Sequence, residues 1–169
     1  FLDIQNMLFS SGIEHQPGPG LRLARNFDLV IGNITSLATH LEHVGNCPAD
    51  AMVFQEHSCP PSEWASMHKH MLRKRRRLIL GHLDPEVKHN LGGLGIVTSH
   101  LWKALRVKPS TRSFSDAVAT GRTDHYAVDI GGTTSMSIHN LYGWTGAHQN
   151  ARKAKRTDKV LAAINDEVH

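Results

Sequence analysis

The sequence is short of cysteine and of long apolar runs, and each scarcity excludes something. Its two cysteines, Cys47 and Cys59, form no CxxC pair, which rules out a disulfide framework and a cysteine-rich zinc site. They read as reduced, packing thiols. No stretch approaches the roughly 20 apolar residues needed to span a bilayer, and the first residues lack the basic segment and small-residue cleavage site of a signal peptide. The expectation is a soluble, intracellular protein with no membrane segment. A large charge excess is also missing. Nineteen Lys and Arg against fifteen Asp and Glu leave a net +4, which permits a polyanionic partner without requiring one. "LGGLG" at Gly92, Gly93 and Gly95 lacks the GxGxxG spacing and a following helix, so it is no dinucleotide fingerprint. Close approach at a strand start explains it. The chain opens on Phe1 rather than Met, as a piece of a longer product would.

What is present suits one domain: 169 residues, 40% of them hydrophobic, are enough for a core. Residues 1–26, with "SGIEHQPGPG", are punctuated by Gly and Pro and read as a leader or linker. The domain proper is 27–169. "FDLVIGN" is an apolar run of strand length. "ITSLATHLEHVGN" places Leu37, Leu41 and Val44 on one helical face, with Ser36 as N-cap and Gly45 as the stop. "AMVFQE" is a second buried strand. "PPSEWASMHKHMLRKRRR" restarts helix at Pro61, with Trp64, Met67, Met71 and Leu72 on one face. "RLILG", "LGIVTS", "DHYAVDI" and "SMSIHNLYG" read as strands with few helices between them. A last helix begins with "ARKAKR" and turns apolar at Val160, Leu161, Ile164 and Val168.

Strand, helix, strand is a βαβ unit, and its crossover is long enough to make the two strands parallel. Both then end at one edge of the sheet. Ligands of open α/β sheets lie outside the carboxyl ends of strands, so Asn33 and Glu56 are expected at one crevice. In the last strand Met136, Ile138, Asn140 and Tyr142 share a face, and its polar end makes another candidate pair.

"IGNITSL", "MVFQEHS", "LGGLGIVTS" and "IHNLYGWTG", in this order, resemble the first motifs of the endonuclease/exonuclease/phosphatase superfamily. That family includes AP endonucleases, DNase I-like nucleases, inositol phosphatases and the nuclease domains of LINE-type retrotransposons. The upstream "SGIEHQPGPG" is similar to the 2A-like ribosome-skipping peptide that precedes the nuclease in some of those elements. Ile13, Glu14, Pro17, Gly18 and Pro19 match it, whereas Gly12 and Gln16 depart from it. The resemblance implies a four-layer α/β sandwich of the DNase I-like type, incomplete and corresponding to the N-terminal two-thirds. It also implies Mg²⁺ (or Mn²⁺) as cofactor, DNA as partner and a fused reverse transcriptase in the full product.

Chemistry fits those residue types. Mg²⁺ takes hard oxygen ligands, usually one or two carboxylates plus waters and substrate phosphate. By the resemblance, Glu56 and Asn33 serve the metal, Asn33 and Tyr142 contact the scissile phosphate, and Asn140 braces the strand end. Plainer roles stay open: Glu56 as a helix cap, Asn33 as a turn residue beside Gly32, Tyr142 as an ordinary strand aromatic. The family's later Asp-Phe-Asn-like and Ser-Asp-His-like motifs do not follow Tyr142. Asp124 and His125 in "RTDHY" share letters with the last of these but occur too early, and read as coincidence. Thr35 stands where AP endonucleases carry an acid, so an abasic-site preference has no support. The run Arg73–Arg77 is a phosphate-contacting patch, a nuclear-import signal or a solvated helix end. His40 with His43, and His68 with His70, are weak metal pairs. The leading reading is a Mg²⁺-dependent DNA endonuclease of the non-LTR retrotransposon type, truncated and not completed by this chain. The others are an incompetent nucleic-acid-binding remnant and a phosphatase of the same superfamily.

Overall fold

The computed structural model describes residues 26–86, 92–131, 134–144 and 147–168. The leader and its 2A-like pattern lie outside the described residues. Seven strands and four α-helices follow: β1 (Leu29–Asn33), α1 (Leu37–Gly45), β2 (Ala51–Gln55), α2 (Trp64–Arg73), β3 (Arg76–Leu80), β4 (Leu94–Ser99), β5 (Lys103–Arg106), α3 (Arg112–Ala119), β6 (Thr123–Gly131), β7 (Thr134–Leu141) and α4 (Ala151–Val168). They form a mixed sheet in the order β1-β2-β4-β3 and an antiparallel sheet β5-β6-β7. β1 and β2 are parallel, with Asn33 beside Gln55.

The layers follow from side-chain alternation along β2. Met52 and Phe54 join Leu37, Val44, Met67 and Met71 of α1 and α2 in one core. Ala51 and Val53 point the other way, into a second core with Ile96, Tyr126 and Val128, flanked by Met136 and Ile138 of β7. On the far side, Trp144, Ala117, Val160 and Ala163 pack α3 against α4. The result is helix, sheet, sheet, helix.

Local signals set the helix ends. Ser36 accepts a hydrogen bond from the Thr39 N–H, the cap expected at the start of α1. A short 3-10 turn at Pro61–Glu63 leads into α2. Some expected core positions differ. Leu72, Leu161 and Val168 are exposed, and in α4 the buried positions are Val160 and Ala163. The α3–α4 contact is carried by small residues, Ala117 and Ala163, beside Val160 and Trp144. β5 and α3 were not foreseen. The glycines of "LGGLG" act by close approach: a Cβ at Gly93 would overlap the His57 ring and one at Gly95 the Phe54 ring, and Gly92 and Gly93 have φ of +85° and +82°.

Candidate active site

The two inner strand faces end in polar residues at the same edge. Gln55 continues the Ala51–Val53 face of β2, and Asn140 continues the Met136–Ile138 face of β7. They meet there: the Gln55 Nε2 donates to Asn140 Oδ1 at 3.1 Å, and the Asn140 Nδ2 donates to the Phe54 carbonyl at 3.0 Å. Asn140 is buried, so this pair staples one sheet to the other.

Immediately after β2 the backbone turns left-handed, with Glu56 at φ +59°. A non-glycine residue there is costly, and such strain persists only where the surroundings fix it. The turn swings the Glu56 carboxylate to the ends of β1 and β7. Its Oε2 accepts from Asn33 Nδ2 at 2.8 Å and its Oε1 accepts from the Tyr142 hydroxyl at 2.7 Å. Asn33 is itself oriented, because its Oδ1 accepts the Thr35 N–H at 3.0 Å. Thr35 is left-handed too, at φ +56°. The structure therefore brings together Asn33, Glu56, Tyr142 and Asn140.

Beneath Glu56 lies a histidine that sequence reasoning passed over. His57 is buried. Its Nδ1 accepts the Cys59 N–H at 3.0 Å, which leaves the proton on Nε2, 3.2 Å from the Gly81 carbonyl. Burial pushes its pKa down to about 4, against a smaller upward pull from the Gly81 carbonyl. The ring is a neutral strut under the strand end. Burial also raises the Cys59 thiol to about 11, which keeps it an unreactive packing group.

Asp124 and His125 point to opposite faces of β6. Asp124 is buried, accepting from Arg106 Nε at 2.8 Å and from the Tyr126 hydroxyl at 3.2 Å. His125 stacks on His139 with ring centroids 4.0 Å apart. The two side chains thus meet different partners, although the His125 N–H donates to Asp124 Oδ1 at 3.0 Å. The basic run lies at the far end of the mixed sheet: Arg76 pairs with Ser99 and Arg77 with Thr98, while Leu80 pairs with Gly95 near the site edge. Four strand residues separate the two ends, about 13 Å. Lys74 is committed to Glu42 at 2.8 Å, and Arg76 donates to the carbonyls of Ala49 and Cys47. Among the described residues no cluster of three or more His, Cys, Asp or Glu side chains is placed to hold a metal.

Similarity to solved structures now bears on the fold. A 3'-5' exonuclease (NExo) from Neisseria meningitidis superposes with a TM-score of 0.58 at 19% identity, covering 84% of this chain and 51% of that one. A 3' phosphatase NExo from Neisseria bound to a product DNA hairpin gives 0.60 at 17%, covering 85% and 51%. The chain has the DNase I-like fold. The AP endonuclease LMAP from Leishmania major agrees, at 0.60 and 12% identity, covering 85% of this chain and 48% of that one. The chain spans about half the length of those proteins, and at these identities the likeness is one of fold, with no LINE-type branch singled out. No family model and no curated protein sequence matches it.

Proposed function

We propose that the Asn33–Glu56–Tyr142 edge is a divalent-metal site for phosphodiester hydrolysis, acting on DNA as an endonuclease of the non-LTR retrotransposon type. The observation that carries this is Glu56 itself: a carboxylate held in a strained backbone conformation at a strand end, each oxygen fixed by a separate donor. The donor set fits Mg²⁺, which is commonly held by one or two carboxylates together with water and substrate oxygens rather than by an all-protein cage. Glu56 and Asn33 would hold Mg²⁺ or Mn²⁺ there, and the ion would supply Lewis-acid polarisation of a phosphoryl oxygen. The protein's own residues do the rest. Glu56 provides the anionic ligand. Asn33 fixes the carboxylate plane and presents its amide at the rim, and the Tyr142 hydroxyl stands beside the carboxylate, within reach of a phosphate oxygen. Gln55 and Asn140 hold the two strand ends at a constant separation.

A second reading, a phosphatase of the same fold, is favoured by the phosphatase description of one similar structure. Supplying the chain with Mg²⁺ and either duplex DNA, a 3'-phosphorylated oligonucleotide or an inositol phosphate separates the two. Nicked duplex supports the endonuclease, and release of inorganic phosphate alone supports the phosphatase. Glu56→Gln preserves size and removes the charge, so it should keep the fold and lower Mn²⁺ affinity by about tenfold or more, read by calorimetry. Unchanged affinity in the folded variant would reduce Glu56 to a structural role.

A further inference from the structure

Tyr142 lies just past the end of β7, and its hydroxyl meets Glu56 at 2.7 Å. A buried cation lies against its ring. The Tyr142 N–H donates to the Arg122 carbonyl at 2.8 Å, and the Arg122 guanidinium sits 5.2 Å from the Tyr142 ring centroid and 5.3 Å from that of Trp144. A guanidinium over an aromatic face within about 6 Å is attracted by the ring quadrupole, most strongly where water is excluded. Arg122 is such a case. It is buried and donates through Nε and Nη2 to Asp84 Oδ2 at 2.9 and 2.8 Å, and Asp84 is buried as well.

The pairing depends on a glycine. Gly121 has φ +69°, and a Cβ there would collide with the backbone of His82, Leu83 and Asp84. Its absence lets that segment lie against the start of β6 and deliver the carboxylate to Arg122. The stack continues outward, since Arg156 of α4 covers Trp144 at 4.3 Å and pairs with Glu86 at 2.6 Å.

We propose that Arg122, held by Asp84 and packed between Tyr142 and Trp144, is the positioning residue that fixes the Tyr142 hydroxyl on Glu56. It acts through Tyr142 and does not touch substrate. This extends the reading of the edge as a phosphodiesterase site and rests on it for any effect on rate, but the geometric claim stands separately.

The test replaces the pair by apolar residues of similar size, Arg122→Met with Asp84→Leu, a change that buried ion pairs often tolerate. The chain has two tyrosines, Tyr126 and Tyr142, so their ring signals separate by NMR and Tyr126, bonded to Asp124, serves as internal control. In the double variant the Tyr142 ring should flip about tenfold faster with Tyr126 unchanged, the loss expected for a desolvated cation–π contact. Arg122→Lys, which keeps the charge but loses the planar two-nitrogen fork, should fall between the wild type and the double variant. Arg122→Gln with Asp84→Asn removes both charges while keeping a hydrogen bond between the two positions and should behave as the apolar double variant does, providing a second probe if that one folds poorly. On duplex DNA, kcat should fall about tenfold at constant KM, with no further loss in a Tyr142→Phe background. Unchanged Tyr142 flipping in a folded variant without the cation would overturn the proposal. A wild-type chain that binds no Mn²⁺ at this edge would instead overturn the reading of the site, and the ring signal would still decide the role of Arg122.

Discussion

Two residues at the site edge sit where L-amino acids are uncomfortable. Thr35 and Glu56 both adopt left-handed backbone, and a β-branched residue there is the costlier of the two. Glu56 has a reason to stay, because any glycine in its place would lose the carboxylate. The side chain of Thr35 is exposed, and only its N–H is engaged, by Asn33. Thr35→Gly should therefore relieve strain without breaking the Asn33 contact and raise stability by about 0.5 to 1 kcal/mol, measured as a higher urea midpoint at constant m. A drop in midpoint would show that the Thr35 methyl or hydroxyl makes a contribution the geometry does not reveal. At this scale the sequence was partly legible. Glu56 and Asn33 could be singled out because each ends an apolar run. Arg122 could not, since its meaning depends on Asp84, 38 positions away, and on a glycine whose φ no spacing encodes.

At the scale of the element, the β2 end is propped from below by His57, whose neutral ring bridges the Cys59 N–H and the Gly81 carbonyl. Its pKa falls from 6.5 in the unfolded chain to about 4 in the fold. The unfolded state therefore takes up the proton first as the solution is acidified. Stability is whole above about pH 6.5 and is lost as the pH falls toward 4, by up to about 3 kcal/mol from this one group. Burial lowers His125 and His139 as well, and they act in the same direction. Urea midpoints should decline through this window, and His57→Gln should flatten the slope. A wild-type profile flat from pH 7 to 4.5 would contradict the buried neutral assignment. The elements themselves were readable where periodicity ran long enough: α1 with its Ser36 cap, the parallel β1–β2 pair and the face of β7 follow from spacing alone. β5 has four residues and α3 eight, too few turns or alternations to stand out from "KALRVKPSTRSFSDAVA". Leu72 faces solvent because the buried stripe of α2 is carried by Met67 and Met71.

For the molecule as a whole, a four-stranded sheet faces a three-stranded one, and the consequence is seen at β1. Ile31 lies beside Val53 in register, yet it is 57% exposed whereas Val53 is buried, because among the described residues nothing covers that end of the inner face. The candidate site opens at the carboxyl end of the same strand, while the exposed members of the basic run, Arg73, Arg75 and Arg77, lie across the sheet from it. A carboxylate edge and a basic surface thus lie at opposite ends of the sheet. Mn²⁺ titrated into the isotope-labelled chain separates them directly, since a paramagnetic ion broadens the NMR signals nearest to it. The account predicts that broadening begins at Asn33, Glu56 and Tyr142, spares residues 73–77, and disappears in Glu56→Gln. Broadening centred elsewhere, or equal in wild type and Glu56→Gln, would contradict the assignment of this edge as the metal site.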